Sequence, residues 1–264
     1  MNKKRISPLI KALIAVLSVL IWLLLWKLFS SVIDPNEIIF PGPIKTFSAF
    51  FKLSITAEFW NTVLSSILRI FIGLIIGVAV GMLCAIICRL LPPIRAFTSI
   101  GMTIMKSTPV ASVILILWAI VGIEYTDNLP IIISALMVAP IIWQNLIDGF
   151  DSINSELLEV TRVFGFSRLK TARVLIMPTL VGYFVPAFLT SVGLAWKSGI
   201  AAEIIAYVSD SIGKQISNAK SDFSGDEMLA WTLVVILISL AFEYLFKLVI
   251  RKFGGKYVKN QSSL

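Results

Sequence analysis

Six ionisable residues stand within or beside long apolar runs of this sequence: Lys27, Arg69, Lys106, Lys197, Glu203 and Glu243. A charge at the centre of a membrane span costs at least ~2.5 kcal/mol, so such a group faces a partner or a water-filled cavity. Two readings follow. In one, Lys106 and Lys197, with Arg69 and Glu203, line a translocation pathway, and the two lysines favour an anionic solute. In the other, Arg69, Lys106 or Lys197 pairs with Glu203 or Glu243, or with backbone carbonyls freed at a kink. Lys27 stands near the end of the first apolar run and is placed to snorkel to the interface. Arg69 lies roughly 15 Å into its run at 1.5 Å per residue. Covalent chemistry has little to work with. The chain has no histidine, which removes the commonest general base and metal ligand. Catalytic residues, a metal site and a cofactor are therefore not expected. Cys84 and Cys88 sit i,i+4 in an apolar run and read as a packed helix face.

A second constellation is more polar than the runs on either side of it. Glu156 to Pro178 reads ELLEVTRVFGFSRLKTARVLIMP. Leu157, Leu158, Thr161 and Phe164 recur at helical spacing, with Glu156, Glu159 and Arg162 mostly on the other side. Gly165 can adopt positive φ and stop that helix, and Ser167 can cap a second one that runs on into an apolar span. The pattern describes a short amphipathic helix, a sharp turn and a rigid return toward the membrane. An ordinary interfacial loop helix has the same pattern.

The elements that must position these residues are long. Of 264 residues, 58% are hydrophobic and 14% charged, with mean hydropathy +0.93. A soluble domain is closer to half apolar and a quarter charged. The class is a polytopic helical membrane protein. Six spans are expected: about Leu9–Ile33, Phe59–Cys88, Ile94–Val121 with an interruption near KSTPVAS, Leu129–Ile147, Ala172–Ala195, and Met228–Ile250. The first run is too long for a secretory core of roughly 7–15 residues and no small-x-small cleavage site follows it. Ile44 to Leu53 suggests a short surface helix after the helix-breaking Pro41-Gly42-Pro43. Pro92 and Pro93 end one helix and open the next. Ile212 to Ala219 suggests another short helix within the polar stretch Tyr207–Glu227. Gly73, Gly77, Gly81 and Ala85 recur every four residues and read as a close-packing seam.

The net charge of +8 is no signal for nucleic acid, because its placement follows topology. With the N-terminus in the cytoplasm, Lys3, Lys4, Arg5, Lys11, Arg89, Arg95, Arg162, Arg168, Lys170, Arg173, Lys247, Arg251, Lys252, Lys256 and Lys259 all fall inside. Only Lys45, Lys52, Lys214 and Lys220 fall outside. This bias argues for six spans with both termini cytoplasmic, and it puts the Glu156–Pro178 segment in the cytoplasm.

That segment resembles a motif of the binding-protein-dependent ABC importer permeases, E-A-A-x3-G-x9-I-x-L-P. Glu159, Gly165 and Pro178 match in identity and spacing; Leu175 and Met177 stand in for Ile and Leu, while Val160 and Thr161 replace the two alanines. The likeness extends from about Phe40 to Lys259. FPGPIKTFSAF, SILRIFIGLIIG, KSTPVASVILILWAIVGI and LAWKSGIAAEIIAYVSDSIGKQI are similar to stretches of the sulfonate/nitrate/taurine branch. Val113, Ala119 and Ile120 depart from that branch's pattern, and Ile212-Gly213 comes one residue late.

The resemblance implies an all-α type I importer permease fold in the prokaryotic inner membrane. It implies a homodimer, with separate ATPase subunits on the cytoplasmic side and a solute-binding protein outside. Leu157, Leu158, Glu159, Val160, Thr161, Phe164, Gly165 and Pro178 would form the ATPase-coupling segment, and the Tyr207–Glu227 stretch would help face the binding protein. The chain has no G-x4-G-K-[ST] loop, so ATP hydrolysis would be supplied in trans. The solute would be small: a sulfonate, taurine, nitrate or a thiamine precursor. The expected organisation is residues 1–35 as the N-terminal end and first span, 36–58 as an outer amphipathic segment, 59–250 as a permease core with coupling segment 151–171, and 251–264 as a basic tail. A stand-alone carrier or channel is the competing class; it would carry inverted repeats, and no convincing repeat is visible. An intramembrane enzyme would need paired catalytic groups at one depth.

Overall fold

The computed structural model describes residues 8–254, and every regular element in them is helical. In chain order the α-helices are α1 Pro8–Ile33, α2 Pro43–Ser54, α3 Ala57–Leu90, α4 Pro92–Ser107, α5 Val110–Val121, α6 Leu129–Asp151, α7 Ser155–Val163, α8 Arg168–Thr171, α9 Met177–Ala206, α10 Ile212–Ser221 and α11 Gly225–Gly254, with a 3-10 turn Ile123–Asn128 before α6 and a widened turn Ala172–Ile176 before α9. Among the described residues five stretches are long and apolar enough to cross a membrane: Leu13–Ile33, Ala57–Leu90, Glu124–Asp151, Arg168–Ala206 and Gly225–Val249. A sixth arises if α4 and α5 count as one, but they are bent by 102°. The interruption expected near Lys106 is thus a corner. Pro109 forces the residue before it out of helical space, and Thr108 is extended at ψ 133. At 1.5 Å per residue α4 and α5 are about 24 and 18 Å long, so neither alone crosses a core of about 30 Å. The basic residues Lys3, Lys4, Arg5, Lys256 and Lys259 lie outside the described residues, and of Lys11, Arg251 and Lys252 only the backbone is described.

The chain forms two compact units. The first comprises residues up to Trp60 together with Gln215–Val235. Its loop after α1 is tied by side chains. Asp34 Oδ2 accepts from the backbone N–H groups of Ile39 (2.6 Å) and Phe40 (3.0 Å). Ser30 donates to the Phe40 carbonyl at 2.7 Å and Trp26 Nε1 to that of Pro41 at 3.2 Å. Donation from Phe40 above all, with other loop amides, holds the Asp34 carboxyl below its ordinary range. Lys27 does not simply snorkel; it pairs with Glu37, whose other oxygen is 3.5 Å from Lys45. The hydrogen bond from Lys27 pulls Glu37 below its usual value. Gly225 donates to the Ile38 carbonyl at 3.0 Å, and a Cβ there would come within 2.4 Å of the Ile39 carbonyl oxygen. Phe59 stacks on Trp231 at 5.0 Å.

The second unit, Asn61–Lys214 with residues from Ile236 onward, carries the main core. Helices α6 and α9 pack along their length, burying Ile133, Ile142 and Trp143 from one and Ala195, Trp196 and Ala202 from the other. Ile114 of α5 joins Ile133, Met137 and Ala202 in one cluster. Lipid tails are as apolar as leucine, so close packing must hold these helices together. The glycine seam of α3 supplies it. A Cβ at Gly73, Gly77 or Gly81 would sit 2.5, 2.8 or 2.6 Å from the carbonyl oxygens of Ile131, Ala135 and Ala139 of α6. Ala85 continues the row and is fully buried. Arg95 of α4 holds Asp151, at the end of α6, through both guanidinium nitrogens.

The helix expected to stop near Ala195 continues to Ala206, so Lys197 and Glu203 lie within α9 and do not follow it. Their polarity does not end the helix because each has somewhere to go: Glu203 into a hydrogen-bonded cluster and Lys197 into an open cleft.

Candidate functional site

The segment after α6 has the helix–turn–helix form expected of it. Asn154, which sequence reasoning passed over as a cap, accepts from the Glu156 N–H at 2.8 Å and starts α7. Gly165, at φ +65, ends it. The Phe166 N–H reaches the Thr161 carbonyl at 2.9 Å, and the Gly165 N–H that of Arg162 at 2.9 Å. These are the paired bonds of a Schellman stop, which satisfies helix-end carbonyls and needs a left-handed residue at the glycine position. Ser167 Oγ accepts from the Lys170 N–H at 3.3 Å and opens α8. Lys170 folds back over the Phe166 ring, 3.9 Å from its centre. Between α8 and α9 the helix widens: the Met177 N–H bonds the carbonyl of Ala172, five residues back. Pro178, next in line, has no N–H to continue the ordinary ladder.

No residue of α7 is buried. Leu158 and Thr161 are half-buried, whereas Leu157, Val160, Val163 and Phe164 are exposed, the last two by 84% and 74%. Glu159 and Gly165 are exposed, and Pro178 is half-buried in the first turn of α9. The apolar face seen in the sequence therefore divides. Part of it turns inward and part stays uncovered in this chain. Val163 was missed, although it continues the outward face three residues after Val160.

The ionisable residues separate into two settings. One is a polar cluster in the second unit. Glu203 is fully buried; its Oε2 accepts from the Ser66 hydroxyl at 2.9 Å and the Gly213 N–H at 3.2 Å. Ser66 in turn accepts from the Ile212 N–H at 3.0 Å. Gly213 is required by proximity, since a Cβ there would lie 2.3 Å from Glu203 Cβ. Arg69 donates to the Asp210 carbonyl at 3.2 Å and stands 3.9 Å from Asp127. Asp127 accepts from the Ser209 N–H at 3.2 Å. Two residues of this loop, Tyr207 and Asp210, hold positive φ. The cluster thus ties α3, the turn before α6 and the end of α9 to the start of α10. Of the partners weighed in the second reading, Arg69 takes a backbone carbonyl, that of Asp210 in the loop after α9, and stands near Asp127; Glu243 pairs with Lys247 one turn on. Asp127 was missed because a loop carboxylate carries no periodic signal, and the Asp210 carbonyl because a backbone oxygen leaves no mark in the sequence.

The other setting is open. Lys106 is exposed in the last turn of α4, where helix-end carbonyls favour a cation. Lys197 lies in a cleft of about 460 Å³ between α9 and the later part of α11. The structure does not bring Arg69 and Glu203 into that cleft, whose lining runs from Leu189 to Lys197 and from Ser239 to Lys247. Among the described residues no group of three or more His, Cys, Asp or Glu could hold a metal.

Fold and segment together describe a multi-pass helical membrane protein with a short exposed helix between two apolar stretches. Residues 77–255 match the family described as binding-protein-dependent transport system inner membrane component. The chain belongs to that family, and it is the permease subunit of an ABC importer. It is 31% identical over 217 residues to the putative aliphatic sulfonates transport permease protein SsuC of Escherichia coli K12, covering 81% of this chain and 78% of that one. The protein of the same description from Bacillus subtilis 168 is 19% identical over 230 residues, 86% of this chain and 82% of that one. Among solved structures, an amino acid ABC transporter chain aligns with TM-score 0.60 at 16% identity, over 79% of this chain and 96% of its own. An inward-facing MetNI methionine ABC transporter chain aligns with TM-score 0.53 at 16% identity, over 73% and 93%. These two likenesses show the fold.

Proposed function

We propose that the chain works as a homodimer that carries a small anionic solute inward, driven by ATPase subunits seated on α7 and supplied by an extracytoplasmic binding protein. Both termini are cytoplasmic, the setting is a prokaryotic inner membrane, and ATP is hydrolysed by the separate subunits. Sulfonates are the leading solute class on the strength of the relatives' names; taurine, nitrate and thiamine precursors, implied by the sequence resemblance, come next. Residues 36–58 act as an outer amphipathic segment, 59–250 as the permease core, 151–171 as the coupling segment and 251–264 as a basic tail. The Tyr207–Glu227 stretch contributes to the surface that meets the binding protein.

One observation carries the reading: α7 leaves Leu157, Val160, Val163 and Phe164 uncovered while the Schellman turn at Gly165 fixes its angle to α8. Exposed apolar anchors beside charged Glu159 and Arg162 suit a partner cleft, the apolar groups giving buried area and the charges giving register. A rigid turn passes motion of that cleft through α8 to Pro178 and α9. Arg69, Lys106, Lys197 and Glu203 were candidates for the pathway; the open setting of Lys106 and Lys197 favours those two, and the bonded setting of Arg69 and Glu203 gives them a structural role. Co-expression with the ATPase encoded beside it tests coupling. The wild-type pair is expected to co-purify. Gly165→Trp, which puts a side chain at φ +65, is expected to reduce recovery of the ATPase at least tenfold while the permease itself stays monodisperse. Undiminished co-purification of that variant would refute the assignment of α7.

A further inference from the structure

The cleft that holds Lys197 has the size of a small-molecule site, about 460 Å³ against a usual range of roughly 300–1,000 Å³. Its charges do not cancel. Glu243 and Lys247 form an ion pair within α11. Lys197 has no carboxylate within ion-pair distance among the described residues. The lining therefore carries one uncompensated cation. Lys197 is exposed while its neighbours Trp196 and Ser198 are buried, so its ammonium looks into open space from a tightly packed stretch of helix. Beside it stands an aromatic wall: Trp196 meets Phe242 edge-on at 5.5 Å, and Phe242 lies 6.5 Å from Phe246. An ionisable residue in a membrane-spanning helix is by default a candidate for a ligand or a pathway.

We propose that this cleft binds an organic monoanion, with its charged head on Lys197 and its apolar body against Phe242 and Phe246. Such a ligand reaches the cleft either as a transported solute, such as an alkanesulfonate, or as the headgroup of an acidic lipid. The solute source rests on the importer reading; the anion site itself does not.

The full chain in nanodiscs of phosphatidylcholine, titrated with 1-hexanesulfonate by calorimetry, tests it. Saturable binding is expected, with none for 1-hexanol or hexyltrimethylammonium at the same concentrations. Lys197→Gln is expected to weaken binding at least tenfold and Lys197→Arg to retain it within about threefold. Glu243→Gln is expected to tighten binding, because it removes a carboxylate from the lining of the cleft. Competition by phosphatidylglycerol doped into the discs would identify the lipid headgroup as the resident anion; its failure to compete would identify the solute. No saturable binding by well-folded protein, or equal binding by Lys197→Gln, overturns the proposal. ATPase co-purification is measured on the same preparations, so loss of binding with coupling intact rejects the cleft and leaves the permease reading standing.

Discussion

Replacing Glu203 by alanine separates a structural carboxylate from one that serves transport. Its Oε2 accepts two hydrogen bonds in a site with no solvent exposure. Truncation leaves the Gly213 N–H and the Ser66 hydroxyl without their acceptor, at ~1–3 kcal/mol for each buried group left unpaired. It also empties the space of the methylene and carboxyl group in a fully buried site. Against this stands relief from holding a carboxyl group in a dry site, where Oε1 has no partner among the described residues. The net expectation is a loss of ~2–4 kcal/mol, or roughly 5–15 °C in melting temperature for a chain of this size. Glu203→Gln keeps the acceptor, and the unpartnered amide N–H is offset by removal of the buried charge, so it is expected to stay within about 1 kcal/mol of the parent. Ser66→Ala is expected to fall between the two. Heating detergent-solubilised protein and measuring the surviving monodisperse peak by fluorescence-detected size-exclusion gives the three values. If alanine melts with the parent, or if glutamine falls as far as alanine, the hydrogen-bond argument is wrong.

Two further outcomes rest on single contacts. Gly77→Ala adds a methyl that meets the Ala135 carbonyl oxygen at 2.8 Å and Val138 Cβ at 2.7 Å; both sit on a packed helix, so a loss of ~1–3 kcal/mol is expected. Gly101→Ala, with open space around it, is the control, and the same heating assay compares them. Asp34→Asn removes a carboxylate whose folded value is held below 3.8. A depressed value stabilises the fold above the unfolded pKa and is lost as pH falls through the folded one. The melting temperatures of Asp34→Asn and the parent are therefore expected to differ at pH 7 and to converge as pH drops below about 3.8; a constant gap down to pH 2.5 would argue against it.

Sequence by itself determined the helices and where they turn. Apolar run length decides what can cross a bilayer, and proline, glycine and capping residues act within a few positions of themselves. For that reason α2, α7, the stop at Gly165, the cap at Ser167 and the break at Pro109 were all legible. The spacing of Glu159, Gly165 and Pro178 also carried the family, because a helix–turn–helix of set length constrains its own residues. Local signals could not say where a polar residue in an oily run spends its charge. Lys197 and Glu203 looked like the end of a helix, yet α9 runs through them to Ala206, since Ser66 from far back in the chain and Gly213 from the following helix satisfy Glu203. Arg69 found Asp127 and a loop carbonyl for the same reason. The break at Pro109 was readable but its 102° angle was not, because a proline frees the chain to turn and only the packing around it chooses how far. The partners of a buried charge lie tens of residues away, and nothing in the spacing of one segment records them; tertiary structure alone decides which of these charges are locked and which, as at Lys197, are left facing open space.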